Sequence, residues 1–202
     1  ERPSTTPART SSMRTADVVR LLLLAAIWGG SFIFMRVLAP VLGPVLTADL
    51  RVLIAGLALI LYFRVIGFDP QWRQFWRQYL IIGAVNSALP FFLFSFAALH
   101  IPASLSVILN SAAPLFGAIF SAFMLGEKLT IRRICGVLLG SLGVILVVRM
   151  GVMRDGSMVT LAILACILAA ICYGFSATYA RKFGAGTKPM AVAGASQLVA
   201  GV

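Results

Sequence analysis

Two short stretches carry polar groups where the surrounding chain is apolar. Asn110-Ser111-Ala112-Ala113-Pro114 lies inside a run that holds no charge from Ala103 to Leu125. About 20 apolar residues cross a bilayer, so the run predicts a membrane-spanning helix. Proline has no N–H, so Pro114 leaves the carbonyl of Asn110, four residues back, without its helical partner. In hydrocarbon such a carbonyl is costly unless protein, water or a ligand satisfies it. One level of one helix thus offers a free carbonyl, a side-chain amide and a hinge. At about 1.5 Å per residue that level lies roughly 10–16 Å in from Ala103, near the midplane. Asn86-Ser87-Ala88-Leu89-Pro90 repeats the spelling, and Pro90 frees the carbonyl of Asn86. The link between the two helices, around His100 and Pro102, is short. It predicts an antiparallel hairpin whose polar centres face each other. Together these features read as a substrate path with hinges at Pro90 and Pro114. Mere packing of small polar residues and prolines in membrane helices is the plainer alternative.

Trp28 and Ser31 are three apart in the first apolar run and share a helix face. A mid-span aromatic with a neighbouring hydroxyl suits the wall of a cavity; packing is the alternative. Asp49 and Arg51 form a candidate charge site one to two turns into the second run. Charges at that depth are costly and usually face the bundle interior or water. At i, i+2 they point apart, so they are poor partners for each other. Arg51 suits an anionic group or backbone carbonyls, with snorkelling to the outer surface as the competing reading. Glu127, beside Lys128 at the end of the fourth helix, reads as a cap and ion pair rather than a proton-coupling group.

These residues need a membrane to position them. The chain is 60% hydrophobic and 11% charged, with a mean hydropathy of +1.00, which few soluble domains approach. Helices are expected at about 18–37, 45–66, 79–99, 103–125, 131–149 and 159–180, with another from Pro189. Residues 1–15 begin Ser/Thr/Pro/Arg-rich and are expected to be a disordered tail. The net charge of +11 is scattered at segment ends, without a basic stripe or interleaved aromatics, which argues against nucleic acid. It fits orientation instead. With a cytoplasmic N-terminus, Arg64, Arg73, Arg77, Lys128, Arg132, Arg133, Arg181, Lys182 and Lys188 lie inside, and Arg36, Arg149 and Arg154 outside. Trp72 and Trp76 fit an interfacial segment on the inner side. Gly136 and Gly140 make a GxxxG, with Gly143 a turn on, which permits close approach within the fold or across a homodimer.

Other chemistries lack their residues. Cys135, Cys166 and Cys172 sit in apolar runs with no CxxC pair. Six acidic residues and one histidine leave no evident metal site, and no cofactor is expected. His100 is placed in an outer loop, and neither GxSxG nor HExxH occurs, so intramembrane hydrolysis has no machinery and the chain does not read as an enzyme.

The sequence also repeats itself. Gly29 and Gly174 are 145 positions apart, and the same offset aligns Trp28 with Tyr173, Ser31 with Ser176, Arg36 with Arg181 and Pro44 with Pro189. An odd number of helices, five, separates the copies, so the second enters from the opposite side. That is the pattern of an inverted-topology repeat, in which substrate binds near the midplane between repeats. The expected fold is an all-α integral membrane bundle of inverted five-helix repeats. Residues 16–150 form the first repeat and 158–202 the beginning of a second. On this reading the chain is a fragment of a ten-helix protein, with a counterpart of Pro114 expected near position 259.

The run Ala26-Ile27-Trp28-Gly29-Gly30-Ser31-Phe32 resembles the opening of an EamA-type domain of the drug/metabolite transporter superfamily. Pro114-Leu115-Phe116, Leu125-Gly126-Glu127-Lys128-Leu129-Thr130 and Gly136-Val137 onward resemble the fourth and fifth helices of that domain. The resemblance covers about 16–202. It implies a ten-helix inner-membrane transporter of small metabolites, often acting outward, with the lipid bilayer and a small-molecule substrate as its partners. The small multidrug relatives carry a coupling Glu in their first helix, which this chain lacks. The function expected is a secondary exporter of amino acids or related compounds working by alternating access. Trp28, Ser31, Asn86, Asn110, Pro114, Tyr173 and Ser176 are its candidate substrate-binding residues. A non-transporting membrane subunit, or a remnant acting only with a partner, is the alternative.

Overall fold

The computed structural model describes residues 15–128, 130–150, 156–184 and 186–201. The expected tail and Leu129 of the Leu-Gly-Glu-Lys-Leu-Thr run fall outside them. The elements are α1 (Thr15–Val65), α2 (Trp72–Gly83), a π-type turn (Ala84–Ala88), α3 (Leu89–His100), α4 (Ala103–Asn110), α5 (Ala113–Leu125), α6 (Ile131–Met150), α7 (Ser157–Phe183) and α8 (Pro189–Ala200). Among the described residues there is no strand. Among those same residues, four stretches are long and apolar enough to cross a membrane: Thr15–Val65, Trp72–His100, Ala103–Leu125 and Ser157–Phe183. The chain is an all-α, multi-pass membrane protein.

The first two expected helices form one run of 51 residues. Straight, it would reach about 77 Å, more than twice the hydrocarbon thickness. It breaks at Gly43, whose φ of 79° and ψ of 162° only glycine adopts readily. Arg51 Nη1 lies 3.7 Å from Met35 Sδ, whereas sixteen residues of straight helix would hold them roughly 24 Å apart. The chain therefore folds back at Gly43, and Thr47 Oγ1 closes the corner by donating to the Gly43 carbonyl at 2.7 Å.

Both Asn–Pro stretches depart from α-helix, in different ways. Ahead of Pro90 the helix widens, and the Leu89 N–H donates to the Ala84 carbonyl five residues back. A wider turn relieves the press of the proline ring on the preceding turn. At Pro114 the helix breaks outright. Ala112 N–H donates to the Leu109 carbonyl at 3.1 Å, and α5 restarts with Pro114 in its first turn, where the missing N–H has no partner to lose.

One expectation is corrected here. The two polar centres do not face each other, because α7 packs against both α3 and α5. Small residues let it in: Ala97, Ala98, Ala162 and Ala169 are buried in a core shared with Phe32, Met35, Phe94, Leu105 and Leu109. A Cβ built on Gly174 would lie 2.6 Å from the Gly117 nitrogen, so α5 and α7 touch main chain to main chain. Gly29 and Gly30, by contrast, have nothing within 4 Å of such a Cβ among the described residues. In α6, a Cβ built on Gly140 would lie 3.0 Å from the Leu115 side chain, while one on Gly136 or Gly143 would meet nothing within 4 Å among the described residues.

A second cluster, Phe75, Tyr79, Ala191 and Ala195 with Trp72 beside it, joins α2 to α8. Trp72 opens α2 and packs against Tyr79, with ring centroids 5.5 Å apart, so this helix begins seven residues before the expected start at 79. Lys188 Nζ lies 4.9 Å from the Phe68 ring centroid, so the connections at 66–71 and 184–188 share one end of the bundle. Arg36 Nη1 donates to the Ala98 carbonyl, close to the link at 101–102. Arg181 pairs with Glu127, at the far end of the α4–α5 span.

Candidate functional site

The corner at Gly43 sets two faces against each other. The outgoing limb of α1 presents Trp28, Ser31 and Met35 at helical spacing. The returning limb presents Thr47 and Arg51. With Ile27, Phe34 and Leu38 they line a cavity of about 360 Å³ that is open on the side of Ile27 and Phe34. Trp28, Ser31, Met35 and Arg51 also belong to a narrower recess, closed by Phe91 and Phe94 of α3 and Tyr173 of α7. The two spaces are lobes of one site.

Aromatic faces dominate it. The Trp28 and Tyr173 ring centroids are 6.5 Å apart at 50°. Tyr173 stacks on Phe94 at 6.2 Å and 22°, and Phe32 meets Phe94 edge-on at 5.0 Å. The Arg51 guanidinium carbon sits 4.1 Å from the centre of the Phe91 ring. Trp28 is 51% exposed, so its ring is held on one side only.

The expected site residues separate into groups. Trp28, Ser31, Tyr173 and Arg51 come together. Asp49 does not join them; it lines a cleft of about 170 Å³ with Ala88 and Phe92. Ser176 is buried, at 3% exposure, outside the cavity wall. Asn86 is half-buried in the π-type turn. Asn110 is also half-buried, and its Oδ1 is buried without a hydrogen-bond partner among the described residues. Neither asparagine lines the cavity. Pro90 is buried behind it. Pro114 lines a separate space of about 460 Å³ with Ser121, Glu127, Gly136, Thr178 and Arg181.

That second space is the larger, but its charges are already matched. Arg181 bridges Glu127 and Ser121 Oγ, the latter at 3.2 Å, and Thr178 Oγ1 donates to the Gly174 carbonyl at 3.0 Å. Glu127 accordingly forms an ion pair, with Arg181 of α7 as a partner. The Trp28 cavity, by contrast, holds a cation against a ring and a thioether. Phe91, Phe94, Met35 and Thr47 were not singled out from sequence. Phe91 and Phe94 lie three apart directly after Pro90, a weak signal inside a run that reads as core. Among the described residues, no three His, Cys, Asp or Glu side chains converge as a metal site would require.

Trp28 and Tyr173, equivalent under the offset of 145, meet at mid-span. Arg36 and Arg181, each eight residues further on, stand at opposite ends of the bundle.

Comparison with known proteins gives a consistent result. The family model described as "EamA-like transporter family" matches residues 18–149. The chain is 24% identical over 171 residues to the uncharacterized transporter YvbV of Bacillus subtilis, covering 85% of this chain and 55% of the relative. It is 26% identical to Protein PecM of Dickeya dadantii, over 60% of this chain and 39% of the relative. A chloroplastic WAT1-related protein of Arabidopsis thaliana is 27% identical, over 64% and 31%. The chain thus spans between about a third and just over half the length of these relatives. No solved structure matches it significantly.

Proposed function

The chain belongs to the EamA-like transporter family, and we propose that it acts in an inner-membrane secondary transporter that moves small metabolites, amino acids or related compounds, outward by alternating access. The observation that carries this reading is the meeting of Trp28 with Tyr173 at 6.5 Å. The two helices approach through these rings, so a solute seated between them touches both repeats at once. Rocking one repeat against the other would then turn the same site from one side of the membrane to the other. The π-type turn before Pro90 and the break before Pro114 supply hinges on the two spans that flank α7. Arg/Lys-rich connections at one end support a cytoplasmic N-terminus. No step requires a covalent intermediate.

The test is solute flux in proteoliposomes containing the protein at its natural length. Tyr173→Phe keeps the ring and is expected to keep flux. Trp28→Ala and Tyr173→Ala are expected to lower it at least tenfold, with membrane insertion unchanged. Full flux in both alanine variants would remove this cavity from the path.

A further inference from the structure

We infer that the Trp28 cavity selects solutes carrying a single carboxylate on a flat apolar body and no ammonium group, with Arg51 as the anion-holding residue. The inference rests on the transport reading of the same cavity and narrows its solute from amino acids to related acids.

Charge is the first ground. Arg51 reaches into the cavity from the returning limb of α1, half-buried and well inside the membrane span. Its neighbours are the Phe91 face at 4.1 Å and Met35 Sδ at 3.7 Å. A ring face attracts a cation and a thioether accepts a weak hydrogen bond, but neither cancels a full charge. Among the described residues, no carboxylate forms an ion pair with Arg51. Asp49, two positions away, lines a different cleft. A guanidinium held at such depth is costly. Its planar fork of five N–H donors matches a carboxylate with two parallel hydrogen bonds.

The second ground is what the cavity lacks. Thr47 Oγ1 is already committed to the Gly43 carbonyl, which leaves Ser31 and Tyr173 as the hydroxyl-bearing side chains on the walls. Among the described residues, no acidic side chain lines either lobe. The ammonium of an α-amino acid would enter beside a guanidinium with no counter-charge, a like-charge contact in a medium that screens poorly. An acid without that ammonium avoids the repulsion and keeps the hydrogen bonds.

The third ground is shape. The Trp28, Tyr173 and Phe94 rings offer flat faces, and an aromatic solute ring packs on such faces offset or edge-on at about 4.5–7 Å between centroids. At about 360 Å³ the wider lobe lies at the small end of ligand cavities, which run from about 300 to 1,000 Å³.

The experiment is binding to the natural-length protein in nanodiscs, by calorimetric titration with four probes that share one ring: phenylacetate, phenylacetamide, phenylalanine and 2-phenylethylamine. Phenylacetate is expected to bind at least tenfold tighter than the amide and the amino acid, and far tighter than the amine. Arg51→Gln is expected to level acid and amide, while Arg51→Lys keeps part of the preference. The comparison of ligands on the unaltered protein needs no variant to fold. Equal binding of amide and acid, a preference for the amine or the amino acid, or no binding of any probe overturns the inference. Flux of the same probes separates the two readings. Carriage of a neutral or zwitterionic solute that Trp28→Ala abolishes keeps the transporter and discards the acid selectivity. Tight, acid-selective binding with no flux of phenylacetate keeps the selectivity and discards the transporter.

Discussion

At the scale of single residues, Asn110 holds an unmet polar atom. Its Oδ1 is buried without a partner among the described residues, and an unmet buried acceptor costs about 1–3 kcal/mol. Asn110→Ala removes that acceptor. Thermal unfolding in detergent is therefore expected to stay level or shift upward. A clear loss of thermal stability would instead make Asn110 a structural residue. Trp28 and Tyr173 were legible from sequence because repetition marks a position independently of its chemistry. Phe91 and Phe94 were not, since a phenylalanine on a cavity wall and one in a core have the same spelling. Arg51 stood out by depth alone. Its separation from Asp49 followed from the two-residue spacing, but its seat against Phe91 depends on how α3 packs.

Among the elements, glycines decide which helices touch. A Cβ at Gly174 would press on main-chain atoms of Gly117 and Phe116 at 2.6–2.8 Å, which no side-chain rotation relieves. Gly174→Ala is expected to destabilise by about 1–3 kcal/mol, the usual range for overpacking. Gly29→Ala, with nothing within 4 Å, is expected to be neutral or to gain up to about 1 kcal/mol of helix propensity. Unfolding midpoints of the two variants, measured side by side, check the contrast; equal losses would refute the close approach of α5 and α7. The helix boundaries were legible because long apolar runs and their charged ends mark them. The wedge of α7 between α3 and α5 was not. Proline and asparagine show where a helix bends, yet nothing in either stretch says which neighbour fills the bend.

For the whole molecule, the aligned ends predict an orientation. Lys188 and Arg181 stand with the connections rich in Arg and Lys, and Ser157 opens α7 from the other side. In a background with Cys135, Cys166 and Cys172 replaced by alanine, an impermeant maleimide is expected to label Ser157→Cys on intact cells. Lys188→Cys is expected to react only after lysis. The reverse pattern would turn the molecule over. The turn at Ala84–Ala88 bears on both ends at once. Its closing hydrogen bond reaches five residues back instead of four, so it houses one residue more than an α-turn. Each residue of a helix advances the azimuth by about 100°. That surplus residue therefore sets the phase between α2, whose Phe75 and Tyr79 clasp α8, and α3, whose Phe91 and Phe94 close the cavity. Deleting it would preserve every side chain at both ends and still rotate one set away from its partners. The relation between lock and cavity is thus stored as a count, in a stretch where no single residue holds it.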